Sequence, residues 1–463
     1  MNKKLLLTLL LAALGGCSLA PAYHRPELPV SPAWPDTAKP EGKRLMPDWK
    51  TYFPDPRLQA LLVAAFENNR DLRIATARIA EARAQYGIQQ SNRLPNVNAN
   101  VSRTASFTPP SVNFLPIPYE YQRYDVNASL VSFELDFWGR LSSLSAAAKA
   151  NYLSTEAAEH AFRLSLIADV SNAYLSLVEL QEAAKVAADT TKGRKEVLDL
   201  TTRRRELGVS SDLDVLAAEG AYQSAVSEEA AIGQQESAAQ NLLTQLVGKM
   251  PDNLPKGLSL EDQGIEPDLI AGMPAEVLVN RPDVEAAEQQ LIAANANIGA
   301  ARAAFLPSIN LTGAFGSASR QINGLFDAGS KAWTFEPSLT LPLFDAGLNR
   351  SNLDLAKARK VIAVAQYEKT IQQAFREVAD LLNARDSLSR QLDAQKANAK
   401  SQRKRLKLTE ARFRAGIASN IELLDAERDA DTAIQAELQA RLALLNAATK
   451  LYSALAGDTV AKR

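Results

Sequence analysis

Residues 413–428 read FRAGIASNIELLDAER, the pattern of a helix that stops, turns and starts again. Gly416 supplies the left-handed residue that ends one helix, and Ser419 with Glu422 three residues on forms a capping box for the next. The stretch is a helical hairpin tip. The same grammar occurs at 203–219, RRRELGVSSDLDVLAAE, where Gly208 matches Gly416, Ser211 matches Ser419, Asp214 matches Glu422 and Glu219 matches Glu427. Asp425 and Arg428 are matched by Ala217 and Gly220, so only one copy carries that acid and that base.

Each tip sits between long proline-free stretches. From Gly139 to Met250 there is no proline, and Ala, Leu, Glu, Lys, Arg, Gln and Ser dominate, which fits two long helices broken at Gly208. A helix from Arg140 to Leu207 would extend on the order of 100 Å at ~1.5 Å per residue. After Pro342 no proline occurs, and two more long helices meet at Gly416. Leu381, Arg385, Leu388 and Leu392 step by four, three and four, and Ile434, Leu438, Leu442 and Leu445 do nearly the same, which is coiled-coil spacing. A further helix is expected from Leu58 to Gln90, ending before Pro95.

Between helices the period changes to two. Val97, Ala99, Val101, Ala105 and Phe107 alternate with polar residues, and after a Pro-rich loop Tyr124, Val126, Ala128 and Leu130 do the same. Past Leu130 the phase flips to Val131, Phe133 and Leu135, which predicts a bulge. A third strand shows Ile309, Leu311, Gly313 and Phe315, and a fourth Trp333, Phe335, Leu339, Leu341 and Leu343. The expected strands are about 96–107, 124–137, 308–318 and 333–344. Asn69-Arg70-Asp71 is echoed by Asn280-Arg281-Pro282-Asp283, Leu94-Pro95 by Leu306-Pro307, and Phe137-Trp138-Gly139 by Phe344 to Gly347, an internal two-fold repeat at about 210 residues.

The start of the chain carries Lys3 and Lys4, an apolar run from Leu5 to Leu14, then Gly15, Gly16 and Cys17. That run is too short for a bilayer of roughly 30 Å and reads as a secretory signal peptide. Cys17 falls where a lipoprotein box puts its lipidated residue, and Ser18 in place of Asp resembles outer-membrane sorting. Nine prolines between residues 18 and 56 make the next stretch an extended arm. The expected organisation is a signal peptide at 1–16, a lipidated arm at 17–56, a first structural repeat at 57–250, a linker at 251–282, a second repeat at 283–457 and a tail at 458–463.

Composition narrows the function. Lys and Arg total 52 against 53 Asp and Glu, so no global imbalance points to nucleic acid. Two histidines and one cysteine leave almost no material for a metal centre or a thiol-based catalytic pair, and no enzyme, cofactor or metal is expected. Amphipathic strands of about ten residues are long enough to cross a bilayer when tilted. Four strands cannot close a barrel, and an open edge in hydrocarbon costs several kcal/mol per unpaired backbone group. Either other copies of the chain complete the strands, or the strands form a small soluble sandwich on a helical protein.

CSLAPAYHRPELP, DWKTYFPDPRLQALL, NNRDLRIATARIAEARAQY, NRPDVEAAEQQLIAANANIGAARAAFLPSI and the two tips together resemble the TolC-like outer-membrane factors, in the lipoprotein branch typified by OprM and CusC. The resemblance covers essentially the whole mature chain. It implies a membrane α+β fold: a homotrimer whose four strands per chain form one twelve-stranded outer-membrane β-barrel, continued by a long periplasmic α-helical coiled-coil barrel. It also implies a passive exit duct for small molecules such as drugs or metal ions, partnered by a periplasmic adaptor and an RND-type inner-membrane pump, and embedded in outer-membrane lipid.

Glu422, Asp425 and Asp429 are spaced by three and four along the helix after Ser419, with Arg428 three residues from Asp425. The resemblance supports Asp425 as the constriction residue, with Ile421 one turn earlier as an apolar ring, and a ring of acids at the narrow end of a tunnel can be held shut by pairing with Arg428 or other basic groups. The bland account is a solvated acidic face at a helix start, and for Glu422 capping suffices. Gly208, Ser211, Gly416 and Ser419 are candidate adaptor-docking tips. Arg203, Arg204, Arg205, Arg412 and Arg414 read either as an anion patch or as the cations expected in the last turn of a helix. The rivals to an efflux duct are a non-conducting lipid-anchored coiled-coil scaffold and the duct of a type I secretion system.

Overall fold

The computed structural model describes residues 19–34, 48–114, 117–265 and 278–455. The expected signal peptide, Cys17 and the expected tail lie outside these residues. Among the described residues the chain runs α1 (Trp49–Tyr52), α2 (Pro56–Asn68), α3 (Arg70–Ser91), β1 (Val97–Thr108), β2 (Tyr119–Leu135), α4 (Arg140–Glu206), α5 (Asp212–Val247), α6 (Pro282–Ala303), β3 (Ser308–Ser319), a short 3-10 turn (Ile322–Gly324), β4 (Lys331–Thr340), α7 (Leu348–Arg414) and α8 (Asn420–Leu455). Two compact units result, and neither coincides with a sequence half. One takes residues up to Glu27, Arg78–Glu156 and Ala286–Tyr367; the other takes Leu28–Ala77, Ala157–Glu285 and the chain from Glu368 on.

The first unit holds a four-stranded antiparallel sheet in the order β1-β2-β3-β4. The β2–β3 register shifts between Leu130 and Phe133, where the alternation changes phase, and Ser132 there takes φ 49°. Asp136 ends β2 and starts α4 by accepting bonds from the amides of Leu141 (3.1 Å) and Ser142 (2.7 Å), while Arg140 pairs with Glu134. Asp345 repeats the device before α7, accepting from Gly347 (2.9 Å) and Asn349 (3.0 Å). The N-terminal arm is strapped along α6. Arg302 donates to the Leu19 carbonyl at 3.0 Å, Asn295 to that of Pro21 at 2.7 Å, and Arg25 and Tyr23 reach Glu288 at 2.8 and 2.9 Å. Gly299 lets the strap pass, since a Cβ there would stand 2.7 Å from the Ala20 nitrogen and from the Ser143 hydroxyl.

The second unit carries the main apolar core, in which Tyr52 and Phe53 pack on Tyr452 among Leu58, Leu61, Leu62, Val170, Leu175, Leu451 and Leu455. Each such side chain contributes roughly 1.5–3 kcal/mol by leaving water. Asp55 is fully buried and fully used. It accepts from the amides of Arg57 (2.8 Å) and Leu258 (3.0 Å), the Tyr174 hydroxyl (2.8 Å) and the Gln263 amide (3.0 Å), and so caps α2 while pinning the linker. The single helix expected over 58–90 is two helices. Asn69 breaks it by accepting from the Leu72 amide at 2.8 Å and donating to the Leu246 carbonyl at 2.7 Å, a competition for backbone partners that short amide side chains readily win.

Candidate functional site

Both tips close in the same way. Gly208 and Gly416 adopt φ 74° and 75°. The Val209 amide reaches the Arg204 carbonyl and the Ile417 amide the Arg412 carbonyl, each at 2.9 Å, so each helix ends in a Schellman turn that satisfies its last carbonyls. Ser211 and Asp214 form a capping box, as do Ser419 and Glu422, whose amides and side chains exchange bonds at 3.1 and 3.2 Å. The Asp214 carboxyl is held below the usual range by the Ser211 amide and by the Ser211 and Ser210 hydroxyls.

The two tips of one chain touch. Arg204 donates to the Phe413 carbonyl at 3.2 Å and lies over the Phe413 ring at 4.8 Å, and Asn420 donates to the Asp214 carbonyl at 3.3 Å. Phe413, Ala418 and Leu423 form a small core with Val197, Leu200 and Leu406. Of the arginines before the first tip, Arg204 thus caps a neighbouring helix and Arg205 pairs with Asp212 at 2.8 Å. Leu207, Val209, Leu213, Leu216, Ile417 and Ile421 stand exposed around the turns.

The sequence-derived gate residues lie on the first three turns of α8. Arg428 bridges Asp425 at 3.3 Å and Asp429 at 3.2 Å. Arg405 of α7, which the spacing did not single out, takes Asp429 at 2.6 Å, and Arg405 and Arg428 hold that carboxyl below its usual range. Another face of α8 carries a buried ionic cluster with no motif to announce it. Arg194 of α4, its side chain 12% exposed, reaches Asp431 at 3.2 Å, Glu427 at 3.7 Å and the Ala221 carbonyl at 3.2 Å, while Thr190 donates to Asp431 at 3.0 Å. Burial pushes the Glu427 carboxyl up to about 7, with Arg194 pulling it down and Asp431 and Glu410 pushing it up. Burial raises Asp431 in the same way, against Thr190 and Arg194.

The sheet of the first unit has two chemically distinct faces. In register, Val101, Val126 and Ser317 share one face with Leu130, Gly313 and Phe335, and with Ala128, Phe315 and Trp333. This face is bare in the single chain: Val101 is 80% exposed and Trp333 69%. The opposite face carries Asn98, Asn100, Ser102, Thr104, Asp125, Asn127, Ser129, Asn310, Thr312 and Glu336. There Asn100 donates to the Ser129 hydroxyl at 2.6 Å and Arg123 pairs with Asp125 at 2.7 Å. No helix of the described residues is long and apolar enough to cross a membrane.

A family model for outer membrane efflux proteins matches residues 61–249 and 273–457. The chain belongs to this family. As an outer membrane efflux protein it acts in transport at the outer membrane and is a duct, not an enzyme. It is 41% identical over 431 residues to the outer membrane protein OprJ of Pseudomonas aeruginosa, across 91% of this chain and 88% of OprJ. It is 40% identical to the toluene efflux pump outer membrane protein TtgC of Pseudomonas putida, across 98% and 96% of the two chains. The open state of the Neisseria gonorrhoeae MtrE outer membrane channel superposes with a TM-score of 0.87 at 37% identity, across 95% of this chain and 98% of MtrE.

Proposed function

We propose that three copies of this efflux protein join their four-stranded sheets into one twelve-stranded barrel, with the apolar face toward lipid and the polar face lining the lumen. The two-faced sheet carries this reading: β1 and β4 each pair on one side only within the chain, and hydrocarbon does not tolerate such edges. The paired helices continue the duct into the periplasm, where an adaptor and an inner-membrane pump supply cargo and energy. Cys17 is acylated and anchors the arm. TtgC, described as a toluene efflux pump outer membrane protein, supports small-molecule cargo.

The gate lies at the α7–α8 tip. Asp425, Asp429 and Glu422, repeated by three chains, form a ring of acids restrained by Arg428 and Arg405, with Ile421 as an apolar ring nearby. The tips around Gly208, Ser211, Gly416 and Ser419, with their bare leucine, valine and isoleucine side chains, receive the adaptor. Extraction of Cys17→Ser from membranes tests the barrel. A heat-modifiable trimer that still needs detergent supports it, and release into buffer sinks it. Replacing Asp425 and Arg428 by Ala tests the gate: single-channel conductance in planar bilayers rises, and unchanged conductance removes them from it.

A further inference from the structure

We propose that the outer rim of the lipid-facing sheet surface binds the phosphorylated glycolipid of the outer leaflet through Arg103, Arg320 and Lys331. The helices join the strands at one end: α3 precedes β1, α4 follows β2, α6 precedes β3 and α7 follows β4. The hairpin connections are at the opposite end, which faces outward in the barrel reading on which this proposal rests. Lys331, Phe315 and Trp333 lie on the apolar face, and so do Arg103 and its cross-strand partner Tyr124. Lys331 Nζ stands 5.1 Å over the Phe315 ring, and the Arg103 guanidinium 5.6 Å from the Tyr124 ring centre. Two cations are thus fixed on aromatic side chains of the surface that meets lipid, and the third, Arg320, follows the last residue of β3 in the connection to β4.

Their charge has no protein partner. Among the described residues neither Arg103, Arg320 nor Lys331 forms an ion pair with a carboxylate, and all three are exposed. Asp125 is on the other face with Arg123, and Glu120 near the hairpin end takes a bond from Gln122 at 3.1 Å. A basic residue on the lipid face of a barrel costs roughly 2–4 kcal/mol at the bilayer midplane and about 0–1 near the interface. Unpaired cations therefore belong at headgroup depth, where anions can meet them.

The β3–β4 connection adds the apolar half of the surface. The Ser317 hydroxyl, on the same face as Lys331, bonds the Leu325 carbonyl and, at 2.6 Å, the Ser330 hydroxyl, so the connection folds back over this face. Leu325 is buried by the fold, while Ile322 and Phe326 are left 69% and 81% exposed. Phosphates matched by Arg103, Arg320 and Lys331, and acyl chains matched by Ile322, Phe326 and Trp333, describe a phosphorylated lipid. A free anion would have no use for the bare phenylalanine.

Native mass spectrometry of the delipidated, detergent-solubilised trimer tests this, with bisphosphorylated lipid A and its dephosphorylated counterpart as probes. The wild-type protein is expected to retain at least about tenfold more of the phosphorylated lipid, and the triple variant Arg103→Gln, Arg320→Gln, Lys331→Gln to lose that preference. Equal retention of the two lipids by the wild type, or an unchanged preference in the triple variant, overturns the proposal. If the triple variant does not assemble, the wild-type comparison alone decides. A trimer that needs detergent but shows no preference removes this site and leaves the barrel standing, whereas release without detergent removes the barrel itself.

Discussion

Raising the pH from 5 to 8 is expected to loosen α8 around Glu427. This carboxyl lies between Arg194 and Asp431 with little water to solvate its charge, and burial carries it from an ordinary 4.5 to about 7. The folded chain holds the proton more tightly than the unfolded chain. Its stabilising effect is complete below pH 4.5 and is lost as pH climbs through about 7. The shift corresponds to about 3 kcal/mol at ~1.4 kcal/mol per unit, or roughly a hundredfold in a local opening equilibrium. Amide hydrogen exchange, corrected for intrinsic rates, reads this directly. Protection over residues 424–434 is expected to fall by up to that factor across the window. Glu427→Gln removes most of the slope, and Asp431, raised by the same burial, leaves a smaller one of the same sign. A variant that keeps the full wild-type slope, or wild-type protection that rises with pH, would refute the reasoning.

Gly416→Ala meets nothing within 4 Å, so its cost is the left-handed backbone alone, about 1–2 kcal/mol, read as faster exchange or proteolysis at the tip. Gly299→Ala drives a methyl against Ala20 and Ser143, and chymotryptic cleavage after Tyr23 should accelerate as the strap lifts from α6. Asp55→Ala leaves the Tyr174 hydroxyl and the Leu258 amide as donors without their buried acceptor. At about 1–3 kcal/mol each, this should lower the yield of folded protein and its unfolding temperature.

What the sequence made legible is what it encodes locally. Gly416 and Ser419 announced a turn because only certain residues tolerate a left-handed backbone or accept from a free helix amide. The alternation through Leu130 announced both a strand and its break, since a change of phase in a period-two pattern has few other meanings. Asn69 was readable in principle, being a short amide in an otherwise helical stretch, but its decisive partner is the Leu246 carbonyl, 177 residues away. The Arg194 cluster was hidden for the same reason. Glu427 differs from Glu422 only in which neighbour its helix face meets, and Arg194 sits 237 residues from Asp431. The proline count made the arm extended but could not lay it along α6. In hindsight Gly299, a glycine inside an Ala-rich helix, was its one trace.

The interleaving of the two units bears on when this protein can fold. The polypeptide changes unit five times, at Glu27, Ala77, Glu156, Glu285 and Tyr367. A chain delivered across the inner membrane from its N-terminus therefore finishes the sheet only after β4 has emerged. It finishes the core only once Tyr452 arrives to cover Tyr52, whose hydroxyl bonds the Ala448 carbonyl 396 residues downstream. Until then Phe53 remains uncovered, the kind of surface that invites aggregation during a slow, non-local assembly. Transit through the periplasm is thus the interval in which this sequence is most open to aggregation.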